Sequence, residues 1–254
     1  MKIKVLASGS KGNSTYIECG NTKILIDAGI SYMQIKKSLE EININVCDLN
    51  IILITHTHSD HIKGLCSLIK KTNAILYVTE DIYSDLLKNM TIDNYYIIEG
   101  EKFKYNDLSV ELLPVSHDVS CYSFIINYKN KNLVYVTDTG YLNKRYFDKL
   151  KNKDVYIIES NHDETMLMNG PYPFILKQRI LSDRGHLSNK ATARILTKLI
   201  GDNTKYIFLA HISEHNNTKQ LVLDEITREL SNINFNLDKI ILTDQYISLE
   251  MVEV

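Results

Sequence analysis

Three histidines and an aspartate are concentrated in one short segment, which runs His-Thr-His-Ser-Asp-His from His56 to His61. In extended backbone the rings of His56 and His58 point to the same side, and Asp60 and His61 follow where the chain turns into a helix. Imidazole and carboxylate together suit zinc, manganese or iron, and two ions about 4 Å apart need about this many ligands. We therefore predict a divalent metal site here rather than a histidine-rich surface loop.

Three more potential ligands each follow an apolar run. His117 comes after Leu112–Val115, Asp138 directly after a run that ends at Thr137, and His211 directly after Ala210. Taken singly, a polar residue after a strand is more often a cap or turn residue. Because all three repeat one placement, at the end of a predicted strand, we predict that they are metal ligands as well.

The elements that must position these residues alternate between short β-branched runs and helical patterns. The segment His56–His61 itself lies between a buried strand and a helix whose apolar face includes Leu65 and Leu68. Other helices are predicted near Tyr32–Ile42, Asn189–Leu199 and Lys219–Leu230. Strands are predicted at Ile3–Ala7, Ser14–Glu18, Lys23–Asp27, Ile51–Thr55, Ala74–Thr79, Tyr95–Ile98, Ser109–Pro114, Tyr122–Tyr128, Leu133–Thr137, Val155–Glu159, Lys205–Ala210, Lys239–Leu242 and Ile247–Met251.

This order of elements is typical of an α/β (α+β) protein, a sandwich of two mixed sheets with helices outside. No linker or low-complexity segment marks a boundary, so we predict one domain over residues 1–254. The composition, 44% apolar and 24% charged, is that of an ordinary globular protein. No stretch approaches the roughly 20 apolar residues that cross a membrane, and we expect no membrane partner.

Cysteine usage and charge limit the remaining classes. The four cysteines include no Cys-x-x-Cys pair, which argues against a zinc ribbon or a disulfide framework and favours the reducing cytoplasm. A net charge of −2 gives no global attraction to nucleic acid, so such a partner requires a local basic patch.

The histidine-rich segment and the three later residues resemble the pattern of the metallo-β-lactamase superfamily, His-x-His-x-Asp-His followed by a His, an Asp and a last His. The resemblance covers nearly the whole chain and implies an αββα four-layer sandwich that holds two divalent ions, manganese or zinc, with iron also suitable. It implies a bridging hydroxide as the nucleophile and Asp138 between the ions. The implied ligands are His56, His58 and His117 on one ion, and Asp60, His61 and His211 on the other.

One stretch is locally basic. Between Met166 and Leu199 six basic residues stand against a single acidic one, Asp183. Three of the six, spaced by four, fit a solvated helix face equally well; these are Lys190, Arg194 and Lys198. The other three are predicted in an aromatic and Pro-bearing loop, where phosphate contacts are the sharper interpretation; these are Lys177, Arg179 and Arg184.

Several segments narrow the resemblance to the YycJ (WalJ) group of metallo-β-lactamase-fold DNA exonucleases: residues 7–14, 159–163, 169–173 with 177–179, 183–189 and 210–217. Membership would imply an exonuclease that prefers DNA, with 5′-to-3′ digestion expected. His215 and the Lys219-Gln220 region are less typical of the group. The substrate-binding candidates are Ser10, Lys11, Asn13, Asn161, Lys177, Arg179, Arg184 and Ser188.

The run Gly185-His186-Leu187-Ser188 resembles the His-Ser-Thr motif of ribonuclease Z, whose histidine assists proton transfer near the leaving group. The resemblance gives His186 that role and places Asp60 beside it among the catalytic residues. The simpler alternative is that Ser188 caps a helix and His186 is merely adjacent. Residues 8–14 could offer backbone N–H groups to a phosphate, although a tight turn is the alternative there.

Three other functions remain open. A ribonuclease Z-like or J-like enzyme normally carries a tRNA-binding arm or an inserted domain, whereas only 211 − 138 = 73 positions separate Asp138 from His211. A thioester hydrolase of the glyoxalase II type shares the ligands but gains little from the basic loop. A non-catalytic metal-binding regulatory module explains the ligands but not His186.

Overall fold

The computed structural model describes residues 1–233 and 235–254. Its backbone contacts divide the chain into two compact units. The first comprises Met1–Glu111 with Asp244–Val254, and the second comprises Leu112–Thr243. The prediction of one domain stays a prediction. None of the helices among these residues combines the length and the apolar content needed to cross a membrane.

The elements are short and closely spaced. In the described residues the strands are β1 (Lys2–Ala7), β2 (Ser14–Cys19), β3 (Thr22–Ile26), β4 (Ile51–Leu53), β5 (Ile75–Val78), β6 (Tyr95–Ile97), β7 (Lys102–Tyr105), β8 (Leu108–Val115), β9 (Cys121–Tyr128), β10 (Lys131–Val136), β11 (Val155–Glu159), β12 (Tyr206–Ala210), β13 (Ile240–Leu242) and β14 (Val252–Glu253). The helices are α1 (Tyr32–Glu40), α2 (Ser59–Ile62), α3 (Leu65–Lys71), α4 (Glu80–Leu86), α5 (Phe147–Leu150), α6 (Glu164–Asn169), α7 (Phe174–Leu181), α8 (Asn189–Leu199) and α9 (Lys219–Leu230).

The first unit contains a mixed sheet in the order β14-β1-β2-β3-β4-β5-β6. Strands β1, β2 and β3 are antiparallel neighbours, whereas β3, β4 and β5 run parallel. Parallel neighbours end at the same edge of a sheet, so the residues that follow β3 and β4 lie side by side. Asp27 follows β3, and the segment that begins at Thr55 follows β4.

The second unit contains the strands in the order β13-β12-β11-β10-β9-β8, and β8 continues the pairing to β7. Strands β10, β11, β12 and β13 are parallel to one another, and β9 forms a hairpin with β10. The carboxyl ends of β10, β11 and β12 therefore meet at one edge. Asp138, Glu159 and His211 stand there. The prediction of two mixed sheets with helices is confirmed.

Helix α8 shows why its sequence is helical and which way it faces. The Ser188 side chain caps its first turn by accepting a hydrogen bond from the backbone N–H of Ala191. Buried residues recur every three or four positions, at Ala193, Leu196 and Leu199, and they pack into the core of the second unit. The opposite face of the helix is left at the surface.

Two sequence-based assignments are wrong. No strand forms at Ile247–Met251, because the Asp244 side chain accepts hydrogen bonds from the backbone N–H groups of Tyr246 and Ile247 and makes a turn; the strand is β14 instead. Lys177 and Arg179 lie on helix α7 rather than in a loop. The helix begins directly after Pro173, whose carbonyl accepts the backbone N–H of Lys177 at 3.1 Å.

Gly29 gives a test of how the fold positions the metal-ligand segment. A Cβ atom at this residue would lie 1.6 Å from the backbone oxygen of Asp60 and 2.5 Å from the backbone nitrogen of Asn13. Because backbone atoms cannot yield as a side chain can, we expect Gly29→Ala to lower the free energy of unfolding by about 3 kcal/mol in urea titrations. The control is Gly100→Asn, where a Cβ meets nothing within 4 Å and asparagine tolerates the positive φ. Equal stability of the two variants would contradict this account.

Candidate metal centre

The ligand segment of the first unit stands between β4 and α2. His56 and His61 are buried, whereas His58 and Asp60 are partly open to solvent. Nε2 of His56 and Nδ1 of His58 lie 3.0 Å apart. Two imidazole nitrogens that face each other at this distance are suited to holding one ion.

Asp27 and Thr55 fix which nitrogens face the ion. Nδ1 of His61 lies 2.8 Å from the Asp27 carboxylate, which only accepts hydrogen bonds when ionised, so this nitrogen donates. The Thr55 hydroxyl donates to Asp27 at 2.9 Å and can therefore accept from Nδ1 of His56 at 3.0 Å. Both histidines are thus protonated at Nδ1 and offer Nε2 as a ligand. Burial raises the pKa of Asp27, and the contacts with His61 and Thr55 oppose that rise.

The turn between β1 and β2 is tied to the same segment. The Asn13 amide nitrogen lies 3.0 Å from Nε2 of His61 and also 3.0 Å from the backbone oxygen of Gly9. Ser10 is exposed. Lys11 holds the Tyr246 hydroxyl at 2.5 Å. Of the three predicted substrate-binding residues in this turn, only Asn13 contacts the metal-ligand segment, and its structural role is to position His61 and Asp60.

The second unit places three predicted ligands at strand ends. His211 follows β12, and its Nε2 lies 3.5 Å from Oδ1 of Asp138, which follows β10. His117, in the loop after β8, is buried, and burial lowers its pKa. A low pKa keeps this imidazole neutral, as a metal ligand must be.

Glu159 is the residue that joins this second cluster. Its Oε1 lies 2.6 Å from Nδ1 of His186 and 3.0 Å from Nδ1 of His211. Its Oε2 accepts the backbone N–H groups of Thr139 and Leu187, at 3.1 and 3.2 Å. Burial alone raises the pKa of Glu159, but the charge and hydrogen bond of His186, with the hydrogen bond of His211, outweigh it and bring the pKa to about 2.

The backbone is strained at three of these positions. Asp27, Asp138 and His211 have φ angles of 59°, 55° and 54°, a left-handed conformation that costs energy for residues other than glycine. All three follow a strand, and each is held by the contacts just described. Strain kept at several strand ends indicates that side-chain direction there serves a function.

The other predicted substrate-binding residues have mixed surroundings. The Asn161 amide lies against His211, 3.1 Å from its Nδ1 and 2.9 Å from its backbone oxygen. Arg179 pairs with Asp118, next to His117 in the chain. Lys177 donates to the backbone oxygen of Met168. Arg184 is exposed, and Ser188 caps α8 and donates to Glu164. Their substrate-binding role stays a prediction.

Two positioning residues were missed by the sequence analysis, namely Asp27 and Glu159. Both are acidic residues at the end of a predicted strand, the same signal that identified Asp138. His162 and His215 were left without a role. His162 is buried, and burial lowers its pKa to about 4; its ring nitrogens have no hydrogen-bond partner among the described residues. The His215 ring lies 6.0 Å from that of Tyr172.

The donor chemistry of each cluster fits a divalent ion. Imidazole and carboxylate groups, with thiolates absent from both clusters as described, suit zinc, manganese or iron. Within the second unit, ligand atoms of Asp138, Glu159, His186 and His211 all lie within 4.8 Å of one another. Since Glu159 is occupied by the Nδ1 atoms of both histidines, Asp138 and Nε2 of His211 are the groups that can face an ion.

Comparison with known proteins gives three findings. The family model for the β-lactamase superfamily domain matches residues 22–212. The chain is 41% identical to exodeoxyribonuclease WalJ of Streptococcus pneumoniae, covering 93% of this chain and 90% of that protein. It is 38% identical to exodeoxyribonuclease YycJ of Bacillus anthracis, covering 93% and 92%. The crystal structure of the metallo-β-lactamase fold protein YhfI from Bacillus subtilis superposes with a TM-score of 0.74 at 16% identity over 98% of each chain.

The role of Asp27 in orienting His61 can be tested directly. Asp27→Asn keeps the shape of the side chain but replaces one acceptor oxygen with a donor that opposes Nδ1–H of His61. We expect metal affinity, measured by competition with a chelator, to fall about 10- to 100-fold. The control is Asp93→Asn, which changes an exposed carboxylate of the same unit. Unchanged metal affinity in Asp27→Asn would show that this carboxylate does not orient a ligand.

Proposed function

This chain belongs to the β-lactamase superfamily, and on that premise we propose that it is a metal-dependent exonuclease that acts on DNA. The observation that carries the proposal is the pair of buried carboxylates, Asp27 and Glu159, each of which orients histidines for an ion. Relatives named exodeoxyribonuclease, similar over more than nine-tenths of this chain, support the choice of DNA. Digestion from 5′ to 3′ is part of the proposal.

Two ions per chain, manganese or zinc with iron also suitable, are proposed as the cofactors. The proposed ligands are His56, His58 and His117 for one ion, Asp60, His61 and His211 for the other, and Asp138 for both. Two bound ions lower the pKa of a shared water, polarise the phosphodiester and stabilise the charge of the leaving oxygen. The match of the family model to residues 22–212 spans ligands of both units and supports one hydrolase domain.

His186 is proposed to hold and deliver the proton for the leaving oxygen. Its Nδ1 lies against Glu159, an ionised carboxylate, so Nδ1 carries a proton and the ring cannot rotate freely. Its side chain is 20% exposed, whereas that of His211 is 3% exposed. A fixed but accessible ring suits contact with substrate better than a buried one.

The basic residues of α7 and the turn after it are proposed to contact the DNA backbone. Arg184 is exposed, and Arg179 shares Asp118 as a partner that a phosphate can displace. Lys177, Ser10, Lys11, Asn13, Asn161 and Ser188 complete the proposed set. The cysteines, Cys19, Cys47, Cys66 and Cys121, are free, which supports a reducing compartment and the proposed cytoplasmic location.

Digestion of end-labelled substrates tests the function. We expect purified protein with Mn²⁺ or Zn²⁺ to shorten DNA stepwise from the 5′ end, and a chelator to stop it. Cleavage should weaken steeply with salt, because phosphate contacts release counterions. RNA and a thioester serve as competing substrates. Faster cleavage of RNA would favour a ribonuclease Z-like or J-like enzyme, turnover of the thioester alone a glyoxalase II-type enzyme, and inert but metal-loaded protein a regulatory module.

Two histidine variants separate metal binding from proton transfer. His211→Ala should lose metal and activity together, with partial rescue by excess metal. His186→Ala should keep its metal and its affinity for DNA while the chemical step slows roughly 10²- to 10⁴-fold. A substrate with an activated leaving group, which needs no proton, should recover most of that loss. If His186→Ala is instead the variant that loses metal, the roles of the two histidines are exchanged.

A further inference from the structure

A cavity of about 620 Å³ opens on the second unit beside the candidate metal ligands. One wall is the segment from Gly140 to Lys144, and the opposite wall is the surface face of α8. That size is within the usual range for a small-molecule site, roughly 300–1,000 Å³. Nothing in the roles described above uses this cavity.

The lining of the cavity combines flat apolar surface with positive charge. Tyr141 is 44% exposed at one side, and Phe147, Leu187 and Ile195 provide the apolar surface. Three cations stand around it, and no acidic residue is among the described residues that line it. In the described part of the chain no carboxylate pairs with these cations, which are Lys144, Arg194 and Lys198.

The position of the cavity relates it to the reaction. Gly140 is two residues beyond Asp138, so their Cα atoms are at most about 7 Å apart. Leu187 directly follows His186. Glu159 accepts the backbone N–H groups of Thr139 and Leu187, one beside each wall. The carboxylate that orients the histidines thus also fixes the two sides of the cavity.

We propose that this cavity holds an unpaired nucleotide of the DNA strand next to the bond that is cleaved; the inference rests on the proposed function. An apolar cavity with an exposed tyrosine ring accepts a nucleobase of any sequence, because every base has a face that can stack. Arg194 and Lys198, one helical turn apart on α8, contact the phosphates on either side. The arrangement requires that the strand end be separated from its complement before it is cleaved.

Binding measurements on the metal-loaded protein test the proposal with a fluorescent single-stranded phosphorothioate DNA, which resists cleavage. Tyr141→Ala should weaken binding roughly ten-fold, whereas Tyr141→Phe, which keeps the ring, should bind as wild type does. Removing Arg194 and Lys198 together should lower the slope of log affinity against log salt by about 1.4, or about 0.7 for each lost contact. Lys190→Ala is the matched control, because Lys190 is an exposed cation of α8 outside the cavity.

Crosslinking locates the nucleotide. A strand with 5-iodouracil at its terminal positions should, on irradiation, label the peptide that contains Tyr141. Label confined to other peptides, or binding unchanged in Tyr141→Ala and in the Arg194 and Lys198 variant, would overturn the proposal while DNA cleavage by the wild type persists. Equal affinity for a free mononucleotide would make the cavity a product site and overturn it too. Absence of any DNA cleavage would instead reject the proposed function.

Discussion

The candidate site of the second unit depends on one buried, ionised carboxylate. Glu159 is fully enclosed, and four N–H donors surround it, two from imidazole rings and two from the backbone. A buried charge is costly unless its partners are in place, so the carboxylate and the groups around it stabilise one another only as a set. This arrangement fixes the tautomer of His211, the direction of His186 and the loops after β10 and before α8.

Asp27 does the same for the first unit with a different set of donors. It takes the backbone N–H and hydroxyl of Thr55 and Nδ1–H of His61, and through Thr55 it also orients His56. In both units the carboxylate stands at the end of a strand that is parallel to its neighbour. Parallel pairing places neighbouring strand ends at one edge, and polar side chains that are far apart in the chain meet there.

Much of this could be predicted from the sequence, for physical reasons. Buried parallel strands are apolar runs that stop abruptly, so His56, Asp138 and His211 stand out as polar residues directly beyond them. Asp27 and Glu159 carry the same signal, yet nothing local distinguishes a residue that binds an ion from one that binds the ligand's other nitrogen. That distinction depends on which strand pairs with which, and the strand order cannot be read from a single strand.

Helix α7 and the cavity beside α8 show where local patterns are insufficient. Two prolines made Asn169–Phe174 look like the start of a longer loop, but Pro173 stands directly before the first helical residue and allows the helix to begin. Lys190, Arg194 and Lys198 have the spacing of a solvated face. Only the position of the loop opposite them shows that Arg194 and Lys198 line a cavity whereas Lys190 does not.

The most direct test of this account is the metal content and affinity of Glu159→Gln, measured by calorimetric titration beside Glu164→Gln, a nearby carboxylate that accepts only from the Ser188 hydroxyl among the contacts described above. A glutamine offers one acceptor oxygen and one amide donor, so two of the four donors around Glu159 lose their partner. We expect the affinity for the ion held by His211 to fall about 10- to 100-fold, while Glu164→Gln binds as wild type does. Wild-type metal affinity in Glu159→Gln would contradict the claim that this carboxylate organises the site.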